Sequence, residues 1–589
     1  MITARSSPLP GRRIGCLMSL QPQPWPEPTD EITQAVLAMY AGRRAPLPVV
    51  VRDELGEVFA DAEFALAFGD RGAVGWSPGR LAMITVLQMV ENLTDRQAAE
   101  AVRDKISWKY ALGLALTDAG FDFSVLSQFR SRIVEHGLEE KVLDLLVAAL
   151  VDKGLLKAGG KQRTDSTHVL AAVRDLNRLE LAGESVRACV ETIAAAAPDW
   201  LAATIDVAGW GQRYGLRVDS WRLPASKTKR DGLALAYGRD GFALLEAVYA
   251  PSAPAWLAEL PAVDILRIVL IQNYVVTTDR QGREVVRMRE ADTDGLPPGR
   301  SGLTSPYDPD ARWGGKRDLA WNGYKLHISE TCDADAGDTP AGDIPQAPPN
   351  LITNVATTDA SVPDAVMTEP IHEHLARRGL LPGEHYLDSG YPSADLLVSS
   401  QDRYGITLVT PMLADTSPQA RAAAGFDRTA FTIDWPHQQV TCPQGQTNAS
   451  WTPADQRGTN VIVVRFAGDV CQPCPVKAQC TTATSRGRQL TIRPQPVQQA
   501  LDHARAEQTT KAWQHKYTRR AGVESTIAQS VKVTDTRHAR YRGLPKTRLE
   551  HAYKAAALNL IRLDAWWNGH PLDPRRTSHL SRLELALAA

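Results

Sequence analysis

Between residues 319 and 411 the chain changes its hydrophobic period repeatedly, and that succession restricts the folds open to it. NGYKLHISETC and NLITNVATT alternate apolar and polar residues, as half-buried strands do. A helical stretch, AVMTEPIHEHLARRG, leads to HYLDSGY, and a second short helical stretch leads to ITLVTPM. Strand, strand, helix, strand, helix, strand predicts an α/β sheet. One more strand comes from upstream, where KQRTDSTHVLAAV interrupts an otherwise helical pattern. The core is therefore assembled from separated segments, 159–170, 310–411 and 496–565.

The remaining segments flank or interrupt that core. Residues 1–60 contain LQPQPWPEPTDE, a Pro-rich run expected to be extended or loosely packed, with Met18 as an alternative start. Residues 61–158 predict an all-α N-terminal domain: SPGRLAMITVLQMVENL enters its helix on Ser77 and Pro78, and TDRQAAEAVRDKISWKYALGL is capped at Thr94 or Asp95. With Arg96, Arg103, Lys105 and Lys109 outward, two of these helices suit a DNA-reading element and suit plain packing equally. Residues 171–309 predict a helical insertion, residues 412–495 a small β-rich, Cys-containing insertion, and residues 566–589 a C-terminal tail. The segment DADAGDTPAGDIPQAPPN has no aromatic residue and predicts an exposed loop.

Composition sets further limits. Among 589 residues, 43% are hydrophobic and 23% charged, which excludes a disordered, collagen-like or coiled-coil chain. No run approaches the ~18 apolar residues of a membrane span. The short apolar run after the first basic pair does not make a secretory signal, so a cytoplasmic protein is expected. The net charge is −1, but between Arg486 and Lys554 there are 15 Lys/Arg against 5 Asp/Glu. That block is either a footprint for a polyanion or a solvated basic face.

Phosphoryl transfer on nucleic acid uses two divalent metals about 3.5–4 Å apart, held by oxygen ligands from several elements. Three carboxylates stand where an α/β core would converge them: Asp165 in TDSTH, Asp388 in YLDSGY and Glu524 in YTRRAGVEST. Tyr517 and Arg520 are expected on one helix face with Glu524. Asp359 and Asp364, in TTDASVPDA, compete with Asp388, although a capping role suits them better. On a strand, Ser166 and His168 would face away from Asp165. His327, His385 and His551 are expected to be core or surface histidines. Cys442, Cys471, Cys474 and Cys480 fall within 39 residues and include one C-x-x-C, which leaves structural zinc and four unligated thiols both open.

Taken together, TDSTH, YLDSGY and Y-x-x-R-x-x-x-E resemble the DDE transposases of bacterial insertion sequences, and more closely insertion-sequence family 1182. The similarity continues through DRQAAEAVRDKISWKYALGL, LNRLELAGESVR, SPYDPDARWGGKRDLAWNGYKLHISETCD, the cysteine segment and ARYRGLPKTRLEHAYKAAALNLIRL. The resemblance implies an RNase H-like core whose Asp165, Asp388 and Glu524 bind two Mg2+ ions, with Mn2+ able to substitute. It implies cleavage at terminal inverted repeats and strand transfer into target DNA, so that double-stranded DNA is the partner, no membrane is involved, and a homodimer or larger assembly forms. A non-cutting DNA-binding derivative and a nuclease without strand transfer are the alternatives. Relatives carry Lys or Arg seven residues after the Glu; here position 531 is Val and Lys532 follows at eight, about 100° further round the helix. Gly522 is expected to loosen that helix enough for Lys532 to reach DNA.

Overall fold

The computed structural model describes residues 18–69, 73–278, 281–316, 318–333 and 348–569. The readings made for residues 1–17, for most of the DADAGDTPAGDIPQAPPN loop and for the tail beyond residue 569 lie outside the described residues.

The main sheet has six strands: β1 (Lys161–Leu170), β2 (Arg312–Lys316), β3 (Leu319–Thr331), β4 (Ile352–Asp359), β5 (Glu384–Leu387) and β6 (Thr407–Val409). They lie in the order β6-β5-β1-β3, with β4 on the outer side of β3 and β2 forming a hairpin with the start of β3. β3 is antiparallel to both its neighbours β1 and β4, whereas β5 and β6 continue from β1 in parallel. This is the strand order expected of an RNase H-like core. β1 is central, and all its residues from Gln162 to Thr167 are buried, polar ones included. At Gly323, where β3 leaves the hairpin and joins β1, φ is +149° and a Cβ would stand 2.2 Å from the Val169 carbonyl oxygen. Only glycine permits that approach.

Helices α1 (Thr368–Arg377) and α2 (Ala394–Tyr404) make the two crossovers to the parallel strands. After the cysteine module the chain forms Gln495–Glu507, then α3 (Lys511–Tyr517), α4 (Gly522–Thr534) and α5 (Leu544–Trp567). Tyr517, Arg520 and Glu524, expected on the face of one helix, lie on three successive elements. Thr510 caps α3 by accepting from the Trp513 amide at 3.2 Å, and a 3-10 turn, Thr518–Ala521, separates α3 from α4.

α5 is buried on every side, with Ala552, Tyr553, Ala556, Leu558, Leu560 and Leu563 at most 1% exposed and the polar Glu550, His551, Lys554, Asn559 and Arg562 buried among them. It packs on β4 and on Leu47–Leu55, Pro78–Val90, Ser124–Glu135 and Lys141–Asp152 of the N-terminal helices. One hydrophobic cluster therefore runs from Trp25 through the N-terminal helices and sheet to Leu563. Of the run LQPQPWPEPTDE, expected to be extended or loosely packed, residues 20–29 have no regular structure; the helix Asp30–Tyr40 begins within it, and Leu47–Leu55 is helical too. Even there Trp25 is 5% exposed. Apolar residues at helical spacing (Ile32, Val36, Val49) drive this ordering despite the proline content.

Residues 176–303 gather separate clusters around Val186, Leu244 and Leu266 and around Val269. The helical reading there fails at one place: the helix Pro261–Asn273 stops, and Tyr274–Thr278 pairs with Glu284–Met288 as a hairpin. The run Val275-Val276-Thr277-Thr278 is β-branched throughout, which favours strand over helix. Among the described residues no helix is long and apolar enough to cross a membrane.

Candidate active site

β1 carries Asp165 in the middle of the sheet, and Asp388 follows the last residue of β5. Glu524 sits in the first turn of α4. The three come from distant segments, and one side chain gathers them. Arg520 Nη2 lies 2.5 Å from Asp165 Oδ2 and 3.6 Å from Asp388 Oδ2, while Nη1 donates to Glu524 Oε1 at 2.6 Å. The carboxylates grade from buried to open, with side-chain exposures of 8, 34 and 62%. Burial accordingly pushes the Asp165 carboxyl above its ordinary range, against the opposing pull of Arg520. The Ser166 amide donates to Asp165 Oδ1 at 2.7 Å, and the Ser389 amide to Asp388 Oδ1 at 2.5 Å.

Tyr517 ends α3 and donates its hydroxyl to the Leu387 carbonyl at 3.1 Å, next to Asp388. Its ring stacks on Trp513 at 4.8 Å, and burial pushes its hydroxyl pKa up to about 12. The 3-10 turn carries Arg520 over the sheet, where Arg163 Nη1 donates to the Arg519 carbonyl at 2.7 Å. Gly522 does not loosen the helix as expected. It is helical, with φ −61°, and a Cβ there would stand 2.0 Å from Arg163 Nη1. Glycine is present so that the guanidinium fits beneath α4. Lys532 is exposed in the last turn of α4, about 12 Å along the axis from Glu524.

The competing aspartates do not join this group. Asp359 closes the turn after β4, accepting from the Ser361 amide at 2.8 Å. Asp364 pairs with Lys325 at 2.9 Å and accepts from Ser166 Oγ at 3.0 Å. Ser166 thus points away from Asp165, as strand alternation predicts. His327, His385 and His551 are core residues, bonded at 2.7 Å to Tyr391, Thr164 and Thr357 respectively. Burial pushes His327 down to about 4 and His385 and His551 well below the usual range.

A fourth carboxylate escapes sequence reasoning. Glu330 on β3 is fully buried between Arg163 of β1 and Arg562 of α5, at 2.7 and 2.8 Å, and Thr526 of α4 donates to it at 2.5 Å. It ties together the strand bearing Asp165 and the helix bearing Glu524. Its signal was a lone Glu inside the strand-like run NGYKLHISETC.

Of the four N-terminal cations, Lys109 is not outward: it is 2% exposed, and its ammonium donates to the Ala115 and Asp118 carbonyls. Lys105 pairs with Glu91, Arg103 bonds the Ala119 carbonyl and Arg96 lies over the Phe123 ring. Lys109 therefore belongs to the helical packing, whereas Arg96 and Arg103 are exposed.

The cysteine module packs Phe431, Val440, Val464, Phe466, Leu490 and Ile492 together, with Cys442, Cys471 and Cys480 against them. Burial raises the Cys480 thiol pKa, Arg488 lowers it, and the other three thiols raise it again. Cys480 is therefore within electrostatic reach of the other three. Among the described residues no three His, Cys, Asp or Glu form a group that could hold a metal ion, which is as true of Asp165, Asp388 and Glu524, gathered round Arg520, as of the cysteines.

Residues 441–564 match the family described as Transposase DDE domain, and residues 45–132 match the Transposase domain (DUF772). The first match starts beside Cys442 and runs through Tyr517, Arg520 and Glu524 into α5; Asp165 and Asp388 lie outside it. The second covers Leu47–Leu55 and Pro78–Val90, two of the helices on which α5 packs, and most of a third, Ser124–Glu135. No curated protein and no solved structure matches the chain significantly. The two matches, one at each end of a shared hydrophobic core, make the chain similar to insertion-sequence DDE transposases.

Proposed function

We propose that the chain binds the terminal inverted repeats of an element of the family-1182 kind, cuts the DNA there and joins the freed 3′ end to target DNA. The observation that carries this reading is the convergence of Asp165, Asp388 and Glu524 on the Arg520 guanidinium. They are 223 and 136 residues apart in sequence. Three carboxylates are a hard, all-oxygen donor set, which fits Mg2+ or Mn2+ in chemistry. In this reading Asp165, Asp388 and Glu524 hold the ions. When bound, two such ions supply an activated attacking oxygen and a stabilised leaving oxygen.

The chain's own residues do the rest. Arg520 is the counter-charge of the carboxylates and turns to a phosphodiester oxygen when DNA enters, a bidentate role suited to a guanidinium. Tyr517 holds the Leu387 backbone and thereby the start of the Asp388 turn. Glu524, the most exposed of the three, adjusts its reach as Arg520 leaves it. Lys532 and the basic face of α3 to α5 meet the flanking phosphates. Two element ends are brought together by at least two copies of the chain.

The test is a duplex ending in the element's inverted repeat, incubated with protein, Mg2+ and a supercoiled target. Expected are repeat-dependent 3′ ends and joined products, both abolished by chelator. Cleavage without joining would leave a nuclease, and binding with neither would leave a DNA-binding derivative.

For the cysteine module we propose a structural zinc held by Cys442, Cys471, Cys474 and Cys480, supported by the C-x-x-C spacing and by the packing of Cys442, Cys471 and Cys480 against one small apolar cluster. About one zinc per chain should persist after dialysis. A folded, metal-free protein would end that proposal.

A further inference from the structure

We propose that Asp364 is a positioning residue for Asp165 and Asp388, acting through Ser166 and through the turn at Gly390. The inference rests on the metal-site reading above and extends it to the opposite face of the sheet. Ser166 is bonded twice: its amide donates to Asp165 Oδ1 at 2.7 Å, and its hydroxyl donates to Asp364 Oδ2 at 3.0 Å. One residue thus links the carboxylate on one face to the carboxylate on the other. The same Asp364 oxygen would lie 3.3 Å from a Cβ on Gly390, so it packs against the backbone of the turn that carries Asp388. That turn is fixed further on by Tyr391, whose hydroxyl bonds His327 Nδ1 at 2.7 Å and whose carbonyl accepts from Thr368 Oγ1 at 3.0 Å.

Asp364 is itself held. Lys325 Nζ donates to Asp364 Oδ1 at 2.9 Å and to the Val362 carbonyl at 2.8 Å, and the two charged side chains are only 14 and 17% exposed. A half-buried ion pair is an expensive way to pack a turn on a strand, since apolar residues of like volume do it as well. Its bonds explain the choice. They hold the Ser166 hydroxyl, and with it the local backbone beside Asp165, in one orientation. Lys325 also balances the charge of Asp364, so that Asp364 does not compete with Asp165 for a cation. Partners of ligating groups at this remove typically control affinity by about 10- to 100-fold.

The full chain is titrated with Mn2+ by calorimetry, as wild type and as Ser166→Ala, Asp364→Ala and the double variant, with thermal unfolding recorded for each. Asp165→Asn identifies which binding belongs to this site. Ser166→Ala keeps the amide and loses one hydroxyl, so its fold is safe; a Kd for Mn2+ raised about 10-fold is expected. Asp364→Ala should weaken binding at least as much, and the double variant no more than Asp364→Ala alone, because both act through one bond. A merely structural role would lower the unfolding temperature and leave the Mn2+ affinity of Ser166→Ala unchanged, which overturns the proposal. Losses that multiply in the double variant overturn it too. Failure of the wild type to bind Mn2+ at Asp165 brings down the metal-site reading and this inference together. Binding by the wild type that Ser166→Ala retains in full brings down this inference alone.

Discussion

Replacing Asp165 by Asn is expected to slow Mg2+-dependent cleavage by about 10³-fold or more, equivalent to ~4 kcal/mol of transition-state stabilisation. Asp388→Asn and Glu524→Gln should do the same. Each substitution keeps the side-chain volume and removes the anionic oxygen on which a hard cation depends. DNA affinity should survive, because it comes from the basic block and not from the carboxylates. Removing an acid should even help binding slightly, since Arg520 is then less occupied. Asp359→Asn is the internal control: its carboxylate caps the turn at Ser361 and touches none of the three acids. Its rate should stay within about threefold of wild type, the cost of a turn bond. The measurement is single-turnover cleavage of a terminal-repeat duplex beside an electrophoretic binding titration. A variant of Asp165, Asp388 or Glu524 that cuts at the wild-type rate is not in the site. An inactive Asp359→Asn beside an active Asp388→Asn would reassign the second aspartate.

Much of this architecture was legible because strands announce themselves by alternation. KQRTDSTHVLAAV, NGYKLHISETC, NLITNVATT, HYLDSGY and ITLVTPM all contain strands of the main sheet. Their order along the chain, with helices between the last three, determines an antiparallel half followed by a parallel half. The grouping of Asp165, Asp388 and Glu524 was also within reach, since each sits at a chemically telling position in its element. Their shared guanidinium was half visible: an Arg four residues before Glu524 predicts one ion pair, not three.

What was not legible depended on tertiary contact. Helical periodicity before residue 60 was masked by prolines that stop at Pro28 and resume only at Pro46 and Pro48, leaving room for a full helix between them. Lys109 reads as a surface cation until two backbone carbonyls are placed against it. Gly522 reads as a weak point in a helix, and only the position of Arg163, 359 residues earlier, shows why no Cβ is tolerated. The separation of α3 from α4 follows from the same contact, because the 3-10 turn brings the Arg519 carbonyl to Arg163. Periodicity describes one element at a time, and these features belong to two.

Glu330 is the strongest such case, and it carries the largest stability prediction. Its side chain is wholly buried, and those of Arg163 and Arg562 are 6 and 7% exposed. Burial alone would raise its pKa, but Arg562 and then Arg163, with the Thr526 bond, hold the carboxyl below the usual glutamate range. Glu330→Gln leaves two buried guanidinium groups without their counter-charge. Breaking a buried network in this way costs about 3–5 kcal/mol, more than the pair contributes relative to apolar packing. The pH dependence has a definite sign. A group whose folded pKa is depressed contributes its stability above its unfolded pKa, near 4.3 for glutamate, and loses it as pH falls through the folded value. The stability gap between wild type and Glu330→Gln should therefore be constant from pH 8 to about pH 5.5 and should shrink once the pH drops below about 4. Urea midpoints of both proteins across that range measure it. A gap unchanged on acidification would show that the Glu330 charge is not what holds β1, β3, α4 and α5 together. Because Thr526 lies two residues from Glu524, the same substitution should also let α4 shift on the sheet. Cleavage by Glu330→Gln should then fall even at temperatures where the variant is fully folded, and a double-mutant cycle with Thr526→Val separates that displacement from lost stability.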